Sequence, residues 1–344
     1  MQDVTVYGAG IFGLSVAWAC LTRGARVQVI DPHGPGAGAS GGIVGALAPH
    51  VPENWNPKKA FQLDSLLAAE GFWAAVENAG GVASGYGRTG RIQPVADPQA
   101  HDRADARGAG ARDLWRGQAA WSVTDAASDP WGVAAPLGVV IHDSLTARIH
   151  PRRACDALVA AIRARGGAVL AEGGARGAVV WATGAAGLQD LSRELGQEVG
   201  RPIKGQAALL KLDTGDAPQL FVDGLHVVPH ADGTVAIGST TERDYDDPSA
   251  CDALLDDVVA RARAAVPRLA EAPVIARWAG LRPRARSRAP MLGAWPGRPG
   301  HYVANGGFKI GFGMAPGVAG VMADLVLEGR NSIPEGFRVA DSLR

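Results

Sequence analysis

The stretch VTVYGAGIFGLSVAWACLTRGARVQVID, residues 4–31, decides the fold. Val4 to Tyr7 read as a short buried strand. The glycine pattern GxGxxG follows as Gly8-Ala9-Gly10-Ile11-Phe12-Gly13. Leu14, Val16, Ala17, Trp18 and Leu21 then keep helical spacing. The helix stops at Arg23-Gly24, a basic last turn followed by a glycine. Val27 to Ile30 form a second strand, with Asp31 at its end. Each glycine has a physical reason. Gly8 permits the tight turn, Gly10 lets backbone approach a pyrophosphate, and Gly13 lets the helix pack closely on the strand. The helix N-terminus offers free N–H groups and a partial positive charge to phosphates. Asp31 stands where an acid accepts from ribose hydroxyls. The stretch predicts a dinucleotide cradle of Gly8, Gly10, Ile11, Phe12, Gly13 and Asp31. A signal peptide is the competing reading, and Asp3 stands where its basic region should be.

Residues 32–49, PHGPGAGASGGIVGALAP, are rich in glycine and alanine. Such backbone can lie flat against a large ring system, which favours FAD over a nicotinamide. A helix is expected from about Ala60 to Asn78, with Phe61, Leu66, Leu67, Trp73 and Val76 on its apolar positions and Gly80-Gly81 after it. Pro151 opens another that runs to about Arg165 and ends at Gly166-Gly167. Residues 99–120 read as an exposed helical piece interrupted by Gly108 and Gly110. Residues 218–238 alternate as a hairpin turning at Asp232-Gly233.

The chain has 344 residues, enough for two domains, and 47% of them are hydrophobic. Formal net charge is zero. Arg282, Arg284, Arg286 and Arg288 are therefore not part of a global basic field, and no nucleic-acid partner is expected. Cys20, Cys155 and Cys251 are odd in number and far apart, with no metal-ligand spacing, so no metal is expected and a reducing cytoplasm fits. No apolar run is read as spanning a bilayer.

Together these segments resemble the D-amino-acid oxidase superfamily of FAD enzymes, most of all its glycine oxidase and sarcosine oxidase branch. Four segments carry the resemblance. They are Gly38-Ala39-Ser40 leading to Gly45-Ala46-Leu47-Ala48-Pro49, then VVWATG at 179–184, WAGLRP at 278–283 and HYVANGGFK at 301–309. The resemblance implies that Ser40 lies near the FAD phosphates and that Gly45, Ala46 and Leu47 line the isoalloxazine ring. It places Thr183 and Gly184 near the nucleotide. It brings Gly307, Phe308, Lys309 and Gly311 to the flavin, ahead of a helix from about Pro316 to Glu328.

By the same resemblance Arg282 pairs with the substrate carboxylate. A planar guanidinium suits that role because it forms two parallel hydrogen bonds and stays charged when buried. Lys309 falls on an arginine near the flavin, and His226 on a tyrosine over the substrate. The residues alone leave His226 open between that contact and a hairpin histidine satisfied locally. Tyr245 is a weaker candidate, and Arg284, Arg286 and Arg288 read as a solvated loop. Two departures stand out. Only AVLAEGGARG, residues 168–177, replaces a strand meander of the family. Residues 284–291, RARSRAPM, lack the cysteine that tethers flavin in monomeric sarcosine oxidase, so FAD is expected to be non-covalent.

The expected fold is α/β, a Rossmann-like FAD-binding domain with a discontinuous antiparallel-sheet substrate domain. The first takes residues 1–85, 141–200 and 278–344; the second takes 86–140 and 201–277. The expected activity is oxidation of the amine of a small amino acid, of glycine, sarcosine or D-amino-acid type. Hydride passes to flavin N5 and the imine hydrolyses to an oxo acid. Expected partners are that substrate and oxygen or another electron acceptor; a homo-oligomer is left open. The alternatives are a larger amine substrate, or a flavin-binding protein without amine oxidase turnover.

Overall fold

The structure is a computed structural model that describes residues 3–343; Met1, Gln2 and Arg344 lie outside the described residues. The chain opens as β1 (Asp3–Tyr7), α1 (Ile11–Thr22) and β2 (Arg26–Ile30). A two-residue strand β3 (Ala46–Leu47) precedes α2 (Pro57–Gly80), which Asn56 caps by accepting from the Lys59 N–H. Then come β4 (Arg91–Pro94), α3 (Pro98–Leu114), β5 (Trp121–Asp125), β6 (Val139–Asp143), β7 (Ala147–Arg148) and α4 (Pro151–Ala164). The middle continues as β8 (Ala168–Leu170), β9 (Ala178–Trp181), α5 (Gly184–Glu194), β10 (Gly200–Lys211), β11 (Gln219–Val222), β12 (Leu225–His230) and β13 (Thr234–Gly238). The last elements are α6 (Ala253–Ala265), β14 (Val274–Ala285), β15 (Met291–Ala294), β16 (His301–Asn305) and α7 (Gly311–Glu328).

A six-stranded sheet has the order β15-β16-β9-β1-β2-β8, with β1 parallel to both neighbours. Side chains alternate across β1. Val4 and Val6 are buried in the same core as Leu14 and Val16 of α1, Trp73 of α2 and Met314 of α7. Thr5 points the other way and meets the 171–177 loop, donating to the Arg176 carbonyl at 2.9 Å and accepting its N–H at 2.8 Å. Gln28 on β2 donates to the Gly174 carbonyl at 2.7 Å. So the segment that is too short for a meander supplies one edge strand, β8, and then returns across the sheet face. Beside it Tyr7 stacks on Trp181 at 4.6 Å.

The second sheet has eight strands in the order β14-β10-β13-β12-β11-β4-β6-β5. It is antiparallel except where β4 pairs parallel with β11. The boundary expected before residue 278 falls inside β14, which pairs along its length with β10, and the boundary after 140 falls inside β6.

Three local expectations are corrected. α3 runs unbroken through Gly108 and Gly110, because each glycine admits a neighbouring backbone. A Cβ at Gly108 would stand 3.0 Å from the Trp121 carbonyl oxygen, and one at Gly110 would stand 2.8 Å from that of Pro52. α7 begins at Gly311, ahead of Pro316, because burial of Met314, Val318 and Met322 outweighs the one hydrogen bond the proline cannot make. This helix is long and apolar enough to cross a membrane by length and composition, yet half of it is buried here, against α1 and α2. Finally, Arg284 lies on β14 rather than in a loop; only Arg286 and Arg288 are exposed in the turn beyond it. β14 is an edge strand, where the missing N–H of Pro283 is tolerated.

Candidate active site

The turn between β1 and α1 is built by exclusion of side chains. Gly8 has φ +102°, and a Cβ there would stand 2.3 Å from the Ala182 carbonyl oxygen. A Cβ on Gly13 would stand 1.9 Å from the Gly8 oxygen. Gly10 caps α1 without a side-chain hydrogen bond, and a Cβ there would meet only Ser40, at 3.1 Å from Oγ. Ser40 in turn accepts the Ile11 N–H at 2.9 Å. Asp31 accepts the Ala9 N–H at 2.8 Å on one carboxylate oxygen and the His33 N–H at 3.0 Å on the other. The acid thus braces the turn as well as facing the cavity.

A cavity of about 650 Å³ opens over this turn. Gly8, Gly10, Ile11, Phe12, Asp31 and Ser40 line it. So do Gly45, Ala46, Thr183 and Gly184, and at the far side Arg282, Gly307, Phe308, Lys309 and Gly311. Gly13 and Leu47 do not. Gly13 lies beneath the turn, and Leu47 is 1% exposed in the core. Gly45 rather than Leu47 carries the geometric constraint, since a Cβ on it would stand 1.8 Å from the Ile149 oxygen. His226 does not line the cavity either. It sits on β12 against the Phe221 ring at 4.9 Å. Burial, then the charges of Arg91 and Lys309, pull it down to about 4, so it is neutral at pH 7. Tyr245 is not among the lining residues either, and Glu53 pairs with Arg107 of α3 at 2.7 Å.

Arg282 is 9% exposed. Among the described residues its guanidinium has one hydrogen-bond partner, the Thr240 carbonyl, at 3.2 Å from Nη1. It lies beside the Trp278 indole, 5.9 Å from the ring centroid. Burial pulls it down to about 10, opposed by Glu242, so it remains a cation at neutral pH. Three features that the sequence reading missed make room for it. Gly205 has no side chain where the guanidinium lies. Trp278 folds its indole over Gly280, where a Cβ would stand 2.5 Å from Cζ2. Thr240, Thr241 and Glu242 form a strap beside β10, with Lys204 and Glu242 exchanging backbone hydrogen bonds at 3.0 and 2.9 Å. Their only sequence signal was a polar run that drew attention to Tyr245 instead.

Lys309 follows Phe308, whose φ is +45° and whose N–H donates to the Pro283 carbonyl at 3.0 Å. That bond docks the glycine turn onto β14. Lys309 Nζ donates to Thr241 Oγ1 at 2.7 Å. Burial, Arg282 and Arg284 together hold its pKa below the usual lysine range.

A family model described as FAD dependent oxidoreductase matches residues 3–325. The glycine oxidase of Pseudomonas aeruginosa is 26% identical over 367 residues, covering 96% of this chain and 96% of that protein. The solved glycine oxidase of Geobacillus kaustophilus superposes with a TM-score of 0.84 at 21% identity, over 98% of this chain and 99% of the other. Iminodiacetate oxidase from Chelativorans sp. BNC1 gives 0.83 at 21%, over 97% and 98%. The two structures show the fold. The cavity fits FAD on its own evidence: side-chain-free glycines at the helix N-terminus, an acid at the end of β2, and glycine backbone along the 38–45 loop. The chain belongs to the DAO family of FAD-dependent oxidoreductases.

Proposed function

We propose that the protein oxidises the amine of a small amino acid, of glycine, sarcosine or D-amino-acid type, to an imine that water hydrolyses to an oxo acid. The observation that carries this reading is Arg282: a buried cation that lines the cavity with one hydrogen-bond partner among the described residues. When bound, FAD would supply the two-electron acceptor, with oxygen or another carrier as the final one.

The chain's own residues do the rest. Gly8, Gly10, Ile11, Phe12 and Ser40 would hold the pyrophosphate, and Asp31 the ribose. Gly45, Ala46, Gly307, Phe308 and Gly311 would line the ring. Arg282 takes the substrate carboxylate by two parallel hydrogen bonds and so fixes which C–H is presented. Val44, Ala46 and Ala207 give apolar walls that keep water from the reacting carbon. Neither carboxylate nor imidazole lines the cavity beside Arg282 among the described residues. On this reading the amine loses its proton to solvent on entry.

The test is anaerobic. The holoprotein is mixed with glycine, sarcosine, D-alanine, D-proline and L-amino acids while the flavin absorption band is followed. Bleaching by one of them, lost in Arg282→Ala, is the expected result. A flavin-loaded protein that no amino acid bleaches would point to a larger amine or to flavin binding without turnover.

A further inference from the structure

Two cations, not one, line the cavity: Arg282 on β14 and Lys309 in the turn before α7. They belong to separate elements, yet one strap holds both. Thr240 accepts from Arg282 at 3.2 Å and Thr241 accepts from Lys309 at 2.7 Å. Glu242 anchors the strap from below. It is 9% exposed, accepts from Gln206 Nε2 at 3.1 Å and from the Thr240 hydroxyl, and lies 3.5 Å from Lys204 Nζ. Asp252, the cap of α6, also engages Lys204 at 3.3 Å and Gln206 at 2.8 Å. The nearby carboxylates are thus occupied by Lys204 and Gln206. Neither forms an ion pair with Arg282 or Lys309. Arg284, stacked over Phe308 at 5.6 Å, adds a third positive charge behind them.

Like charges held together in a half-enclosed site raise each other's energy, and here Arg282 and Arg284 both oppose the charge of Lys309. One ligand carboxylate relieves one cation. An ammonium has three donors, and beside its 5.8 Å approach to the Phe308 ring Lys309 has one hydrogen-bond partner among the described residues, so it too can take an anionic oxygen. Resting on the amine-oxidation reading above, we propose that Arg282 and Lys309 are paired carboxylate anchors and that the substrate is an amino acid with two carboxylates, one on each cation.

The experiment uses matched pairs that differ by one carboxylate: iminodiacetate against sarcosine, and D-aspartate against D-alanine. Anaerobic titration of the holoenzyme gives a Kd from the flavin spectrum and a limiting rate of bleaching. The dicarboxylate of at least one pair should bind at least tenfold tighter than its partner. Lys309→Met should bring that ratio close to one, and Lys309→Arg should keep it. Should the Met variant not retain FAD, Lys309→Gln replaces it. Equal or weaker binding of both dicarboxylates to the wild type would overturn the proposal. So would a ratio indifferent to the loss of the lysine charge, which would assign Lys309 to negative charge on the flavin. Bleaching by monocarboxylic amines alone leaves amine oxidation standing and removes the dicarboxylate proposal. Bleaching by no amine removes both.

Discussion

The guanidinium of Arg282 lies across Gly205: a Cβ built on that glycine would stand 1.7 Å from Nη1 and 2.0 Å from Cζ. The arginine cannot keep its place if position 205 carries a side chain. Gly205→Ala should therefore imitate partial loss of Arg282 without removing its charge. The Kd for a carboxylate ligand should rise tenfold to a hundredfold, ~1.4–2.8 kcal/mol. FAD content should be retained, and titration of the flavin spectrum measures both.

The cradle glycines should separate by mechanism. Gly8→Ala places a Cβ 2.3 Å from a carbonyl oxygen at positive φ, so the turn itself must move. Loss of bound FAD with destabilisation of at least about 2 kcal/mol is expected. Gly10→Ala meets only Ser40. The apoprotein should melt within a degree or two of wild type while FAD affinity falls. Calorimetry of the apoproteins and FAD titration decide between these outcomes.

Helical glycines should split in sign. Gly71 in α2 has nothing within 4 Å of a built Cβ, so Gly71→Ala should stabilise by about 1 kcal/mol, the ordinary propensity gain. Gly110→Ala in α3 meets the Pro52 oxygen at 2.8 Å and should destabilise instead, by about 1–2 kcal/mol. Urea denaturation of the two variants gives the comparison.

His230 should make the protein acid-labile. It is 3% exposed, bonded through Nε2 to the Ile43 carbonyl at 2.9 Å, and 4.7 Å from the His150 ring. Burial, then His150, pulls its pKa from 6.5 to about 4. Below pH 6.5 the unfolded chain takes up the proton first, so stability is fully present above that pH and is lost as pH falls toward 4. At ~1.4 kcal/mol per unit the loss reaches about 3 kcal/mol. His230→Gln keeps a donor for Ile43 and should lose about 2–3 kcal/mol less than wild type between pH 7 and 4.5. Parallel losses in the two proteins would count against this origin.

The readable parts of the chain were those whose physics is local. Gly8, Gly10, Gly13 and Asp31 act within one strand–turn–helix, and their spacing carries the information. The errors lie where a distant partner decides. Arg284 reads as loop until the sheet order makes β14 an edge strand that tolerates Pro283. Gly108 and Gly110 read as helix interruptions until Trp121 and Pro52 approach them. Pro316 reads as a helix start until the core covers the turn before it. Gly205 carries no sequence signal, because its role is defined by an arginine 77 positions later. His226, which the residues alone leave open, lies against Phe221 and is not among the residues that line the cavity.

The strap at Thr240–Glu242 separates two tasks in one molecule. Thr240 holds the arginine through a carbonyl and Thr241 the lysine through a hydroxyl, while the Glu242 carboxylate anchors the strap on Gln206 and Lys204. On the dicarboxylate proposal, the spacing of the two anchors is set by a strap of three residues that is separate in sequence from the glycine turn after β1.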